Sequence, residues 1–93
     1  MIEVSAELAK VTSAMNLTSA KSLFEEGISL IAGPVTSFDL GAVTEVDSSG
    51  LAVVFGWLRE AQRLDKAVRI VNLPENLSSL AEVYGVKDLL PVA

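Results

Sequence analysis

The chain has 93 residues, of which 51% are hydrophobic and 20% are charged, and its formal net charge is −5. This length allows one hydrophobic core and therefore one domain, residues 1–93, while the apolar fraction excludes a disordered chain. The negative charge argues against nucleic acid as a partner, and the absence of cysteine and histidine removes disulfides, thiolate metal sites and the commonest general base. We therefore expect no catalytic residues, no cofactor and no metal, and a domain that binds another protein.

The N-terminal half predicts strands and one helix. Apolar and polar residues alternate over residues 2–8, which is the period of a strand with one solvent-facing side, and residues 11–15 are a candidate neighbouring strand. Thr18 or Ser19 is a candidate N-cap for a helix through residue 30, and Gly33 with Pro34 ends that helix.

The second half predicts alternating strands and helices. Residues 35–39 and 68–71 form strands on either side of a helix over residues 51–64, a length typical of a crossover between parallel strands. A last helix over residues 77–84 ends at Gly85, the candidate left-handed C-cap. The prediction is an α/β fold, a small sandwich with a mixed, mainly four-stranded sheet and helices packed mostly on one face.

Neither the N-terminus nor the apolar runs predict a membrane segment. Glu3 stands where a signal peptide needs positive charge, and the longest apolar run, residues 51–58, is far shorter than the roughly 20 residues that cross a bilayer. We expect a cytoplasmic protein with no direct membrane insertion, so that any membrane association is peripheral and made through a partner.

The segment Asp47-Ser48-Ser49-Gly50 opens the central helix and is the candidate functional site. It places one carboxylate and two hydroxyls at a helix N-terminus, where four backbone N–H groups lack partners and the helix dipole favours negative charge. A helix cap needs only one side-chain oxygen, so a hydroxyl remains to contact a partner. A phosphate on Ser49 would add about −1.5 to −2 charges at this helix N-terminus. We predict partner binding through Asp47, Ser48 and Ser49, with Ser49 as candidate phosphoacceptor.

The central helix also has an unusually broad apolar arc of roughly 200°, against the usual 100° or so. The flank that includes Trp57 either packs under a neighbouring helix or forms a partner surface, for which a tryptophan is a typical anchor. We interpret Trp57 as a partner-binding residue. Tyr84 either borders the same surface or has a structural role.

Two segments, DLGAV at residues 39–43 and VDSSGL at residues 46–51, resemble the signature of STAS domains. This fold is shared by anti-sigma-factor antagonists and the cytoplasmic tails of anion transporters. The resemblance implies a domain that binds a protein partner through the loop before its second helix and through the start of that helix. The C-terminal segments LAEVY at residues 80–84 and LLP at residues 89–91 are most similar to STAS subunits of Mla-type ABC transporters, which maintain outer-membrane lipid asymmetry.

The resemblance implies a non-catalytic accessory subunit that binds the cytoplasmic ATPase of a phospholipid-transport ABC transporter, and through it the membrane permease, and supports assembly and activity. Ser48 occupies the place of a hydroxyl residue at the ATPase contact, whereas Ser49 occupies the phosphoacceptor place of anti-sigma-factor antagonists. Transporter subunits commonly have glycine at the latter position, and Asp47 fits both patterns. The alternative is therefore an antagonist that binds an anti-sigma kinase and is switched by phosphorylation of Ser49. An enzyme is disfavoured because no histidine, lysine or metal set activates these hydroxyls.

Overall fold

The computed structural model describes residues 1–92. Its elements, in chain order, are β1 Ile2–Ser5, β2 Leu8–Val11, α1 Ala20–Ala32, β3 Ser37–Asp39, α2 Ser48–Arg63, β4 Arg69–Val71, α3 Glu75–Val83 and a 3-10 turn at Lys87–Leu89. None of the helices in this part of the chain is both long and apolar enough to cross a bilayer.

The four strands form one mixed sheet in the order β1-β2-β3-β4, in which β1 and β2 are antiparallel and the other neighbours are parallel. Because side chains alternate along a strand, one face of the sheet is apolar and the other is polar. Val11, Phe38 and Ile70 on the first face are buried beneath the helices, whereas Lys10 and Arg69 on the opposite face are exposed. The predicted fold class, with helices mostly on one face, is confirmed.

The first strand is shorter than the alternation predicts. β1 ends at Ser5, which pairs with Leu8 across a two-residue turn, and Ala6 in that turn has a positive φ of 54°. Leu8 consequently lies on the face of the sheet opposite to Ile2 and Val4, although apolar and polar residues alternate in the sequence without a break from Ile2 to Leu8. The prediction of a strand at residues 11–15 is also wrong, since the observed β2 ends at Val11 and Met15 forms only an isolated bridge.

The predicted helix ends agree with the structure to within three residues. Ser19 is the N-cap of α1 and Gly33 its C-cap, although the Ser19 hydroxyl donates to the Ala14 carbonyl and does not cap the helix. Gly85 follows α3 with φ 71°, and its N–H donates to the Glu82 carbonyl. That left-handed position confirms Gly85 as the residue that ends the last helix.

Helices α1 and α2 pack together through two aromatic side chains, each of which lies on a glycine of the other helix. Phe24 of α1 covers Gly56, where an added Cβ would lie 2.6 Å from the phenyl Cε1. Trp57 of α2 covers Gly27, where an added Cβ would overlap with the indole Nε1. Neither glycine has a positive φ, so close approach of the helices, not backbone conformation, requires a residue without a Cβ.

Trp57 lies in the core, and the prediction that it contacts a partner is wrong. Its exposed fraction is 0%, and its ring stacks on Phe38 with the centroids 4.3 Å apart. The indole Nε1 donates to the carbonyls of Leu23 and Phe24, each at 3.2 Å. The broad apolar arc of α2 is therefore explained by packing against α1 on one side and the sheet on the other, and a partner cannot reach this ring while the fold is intact.

Candidate protein-binding site

Asp47 joins the start of α2 to the loop that follows β2. The residue has an extended backbone and is the N-cap of the helix. Its Oδ1 accepts hydrogen bonds from the N–H groups of Ser49 at 2.8 Å and Gly50 at 3.3 Å, and its Oδ2 accepts one from the N–H of Leu17 at 3.1 Å. The carboxylate thus satisfies two of the unpaired donors of α2 and one donor of a second segment.

The same hydrogen bonds favour the ionised form of Asp47. Partial burial acts to raise its pKa, but the backbone N–H groups of Leu17, Gly50 and Ser49 together outweigh this effect and hold the pKa below its ordinary value. Asp47 is therefore ionised at neutral pH and lies at the positive end of the α2 dipole. With three donors bound to its two oxygens, this carboxylate serves as a structural cap.

The backbone at Gly50 fits tightly against the loop after β2. A Cβ at Gly50 would overlap with the carbonyl oxygen of Met15. That carbonyl accepts the N–H of Asp47 at 3.2 Å, and the N–H of Met15 donates to the Glu45 carbonyl at 2.9 Å, so the two segments form a short parallel bridge. Only glycine allows the start of α2 to lie this close to the loop.

The loop itself is held by Asn16. Its Nδ2 donates to the Glu45 carboxylate at 2.9 Å, while its Oδ1 accepts the N–H groups of Thr18 at 3.1 Å and Ser19 at 3.2 Å. Leu17, between these anchored residues, has a side chain that is 77% exposed. An apolar side chain is thus presented to solvent on a loop whose backbone is fixed, beside the start of α2.

The predicted site residues are only partly brought together. Asp47, Ser48 and Ser49 are adjacent at the N-terminus of α2, with Ser48 exposed and Ser49 half-buried. The Ser48 hydroxyl forms no hydrogen bond with any residue among 1–92, whereas the Ser49 N–H is bound by Asp47. Trp57 is separate from them, since it lies in the contact with α1.

A second feature of this surface was not predicted. An apolar groove, here called the α2 groove, extends from Ser48 between α2 and the segment that follows α3. Its lining includes Ser48, Ala52, Phe55, Arg59, Tyr84 and Leu89. Tyr84 is 58% exposed and Leu89 is 66% exposed. The spacing of Ser48, Ala52, Phe55 and Arg59 at intervals of four, three and four residues is the sequence signal that could have revealed a continuous helix face.

Comparison with known proteins identifies the family to which this chain belongs. The family model described as "Mlab, STAS domain" matches residues 4–91, and the chain belongs to this STAS family. It is 37% identical over 54 residues to the intermembrane phospholipid transport system binding protein MlaB of Haemophilus influenzae. The matched part is 58% of this chain and 51% of that protein, so the chain aligns with about half the length of the curated relative.

Solved structures have the same fold. SpoIIAA, an anti-sigma-factor antagonist, in its unphosphorylated form matches all of this chain and 86% of its own with a TM-score of 0.73 and 18% identity. An anti-sigma-factor antagonist (STAS) domain protein from Planctomyces limnophilus matches 99% of this chain and 86% of its own length, with a TM-score of 0.71 and 14% identity. The resemblance to STAS domains is therefore confirmed for both sequence and fold.

Proposed function

We propose that this chain is an accessory STAS subunit that binds the ATPase of a phospholipid-transport ABC transporter of the Mla type and supports its assembly and activity. The observation that carries the proposal is the rigid, exposed surface at the start of α2, where Ser48 and Leu17 face solvent beside an apolar groove. The family match and the MlaB relative support the choice of a transporter partner. In this proposal the protein acts in the cytoplasm, peripheral to the inner membrane through the ATPase and indirectly through the permease.

The proposed role is binding without catalysis. The Asp47 carboxylate accepts hydrogen bonds from three backbone N–H groups as a helix cap, and its lowered pKa makes it a weak base toward the hydroxyls of Ser48 and Ser49. The lining of the α2 groove is mostly apolar, with Tyr84 and Leu89 more than half exposed. Large apolar side chains in water are typical of a protein contact.

The test is co-expression of the tagged chain with the Mla-type ATPase and permease from the same genome, followed by affinity capture and size-exclusion chromatography. We expect the wild-type chain to co-purify with the ATPase, and Ser48→Arg to weaken binding about tenfold or more because a bulky cation within an interface prevents close contact. Ser29→Arg is the matched control, since Ser29 is an exposed serine on α1 away from the site. Failure of the wild-type chain to capture the ATPase would refute the proposal.

A second candidate is an anti-sigma-factor antagonist that binds an anti-sigma kinase and is switched by phosphorylation of Ser49. The observation that favours it is the position of Ser49 as the second residue of α2, half-buried, with its N–H bound to the ionised Asp47. A phosphate there would meet the helix N-terminus and also the negative carboxylate, so it would alter the cap. Incubation with a cognate kinase and ATP, read by mass spectrometry, should label Ser49 in Ser48→Ala and give no label in Ser49→Ala if this candidate is correct.

A further inference from the structure

The α2 groove extends well beyond the cap residues at its end. The wall that α2 contributes is a single face of this helix. Its residues recur at intervals of three and four positions and are Ser48, Ala52, Phe55 and Arg59. Arg59 lies eleven positions after Ser48, which corresponds to about 16 Å along the axis, or about three helical turns. The groove therefore has the length of a short helix.

The walls of the groove have no free backbone edge. α2 is continuous from Ser48 to Arg63, so its interior N–H and carbonyl groups are bonded within the helix. On the opposite wall the N–H groups of Tyr84, Val86 and Leu89 donate to the carbonyls of the chain's own preceding turns. A partner strand could not add to such walls, whereas a helix satisfies its own backbone and contributes only side chains, as in the recognition of amphipathic helices by apolar grooves.

The charge in the groove comes from Arg59. This exposed residue forms no ion pair with any residue in the described part of the chain, 1–92, whereas the neighbouring Arg63 pairs with Glu60 at 2.6 Å. The other groove-lining residues are apolar or uncharged. In a protein of net charge −5, an unpaired guanidinium at the end of an apolar groove favours a ligand with a carboxylate at the matching position.

We infer that the α2 groove receives a short amphipathic helix of the partner ATPase, whose apolar side chains cover Phe55 and Tyr84 and whose carboxylate pairs with Arg59. This inference rests on the proposed function and adds to it the kind of segment that binds and the residue that selects it. Arg59 is then a specificity-determining residue, and Ser48 marks the other end of the same contact.

The test compares two charge reversals in the complex of the full chain with the ATPase. Arg59→Glu should weaken binding by about tenfold or more, because it places like charges together in a partly desolvated contact. Arg69→Glu is the matched control, since it makes the same change in net charge on the exposed polar face of the sheet and should alter binding by about threefold or less. Circular dichroism and thermal unfolding confirm that both variants are folded.

Further measurements identify the occupant of the groove. A photoreactive benzoylphenylalanine in place of Tyr84 should crosslink to one helix of the ATPase, and reversal of an acidic residue in that helix to arginine should restore the binding lost in Arg59→Glu. Equal weakening of binding by Arg59→Glu and Arg69→Glu would overturn the inference, and so would a crosslink to a lipid or to a second copy of this chain. In either case the proposed function stands if Ser48→Arg still blocks the complex. Absence of any complex with the wild-type chain would overturn both.

Discussion

Replacement of Gly27 by alanine should destabilise the protein, although helix propensity alone predicts the opposite. Glycine inside a helix costs about 1 kcal/mol relative to alanine, so the substitution would be stabilising if the position were open. In this structure an added Cβ would overlap with Nε1 of Trp57, a side chain with no exposed area. The sign of the effect therefore tests whether Trp57 lies on Gly27.

The magnitude follows from the contacts that would be lost. Relief of the overlap requires α1 and α2 to separate or the indole to move, at a cost of about 1–3 kcal/mol for overpacking. Movement of the indole also weakens its hydrogen bonds to the Leu23 and Phe24 carbonyls, at about 1 kcal/mol. After the propensity gain of about 1 kcal/mol, the expected net loss in the free energy of unfolding is about 1–3 kcal/mol.

Urea unfolding measures this difference directly. Trp57 is the only tryptophan, so its fluorescence reports the environment at issue, and circular dichroism follows the helices in the same samples. Gly33→Ala is a suitable control because a Cβ there would meet only the carbonyls of Leu30 and Ser29, at 3.5 and 4.0 Å. A higher urea midpoint for Gly27→Ala than for the wild type would refute the packing argument.

Three further expectations concern the site and the helix ends. Because the pKa of Asp47 is lowered by folding, its contribution to stability is complete above its unfolded pKa, so the stability difference between wild type and Asp47→Asn in urea titrations should begin to shrink near pH 4 and continue to shrink as the pH falls through the lower folded pKa. Asp65, which follows α2, has a φ of 55°, so Asp65→Gly should raise the free energy of unfolding by about 0.5–1 kcal/mol. Gly85→Ala after α3 should lower it by about 1 kcal/mol, and shifts of the same sign in the two variants would contradict these expectations. Tyr84→Ser should leave the melting temperature almost unchanged but weaken capture of the ATPase, and a large loss of thermal stability would show that the ring is part of the core.

Local signals in the sequence were sufficient for most of the architecture. Gly33 with Pro34 and the left-handed Gly85 mark helix ends by their own backbone preferences, so their effects do not depend on distant residues. The capping role of Asp47 is equally local, because its Oδ1 reaches donors two and three residues later. Its third hydrogen bond, to Leu17, comes from a segment thirty residues earlier and could not be predicted.

The features that the sequence did not predict carry no local marker or depend on contacts between segments that are distant in the sequence. The turn at Ala6 contains no glycine, proline or asparagine, so the sequence carries no marker for the point at which the chain reverses. The position of Trp57 depends on α1, and the available signal was the pair Gly27 and Gly56, one glycine in the interior of each helix. Because glycine is unfavourable within a helix, two such residues indicate close contact with large side chains. The α2 groove was missed because its second wall belongs to a segment that is remote in sequence.

The bridge between the loop after β2 and the start of α2 has a consequence for the kinetics of association. Met15 of the loop bonds through its N–H to Glu45 and through its carbonyl to Asp47, and Gly50 leaves no space between the loop and the helix. Loop and helix end therefore have one arrangement before any partner arrives, and little backbone entropy remains to be lost on encounter. Complex formation at this surface should proceed in a single kinetic phase whose rate rises linearly with partner concentration, without the plateau that a slow loop rearrangement would impose.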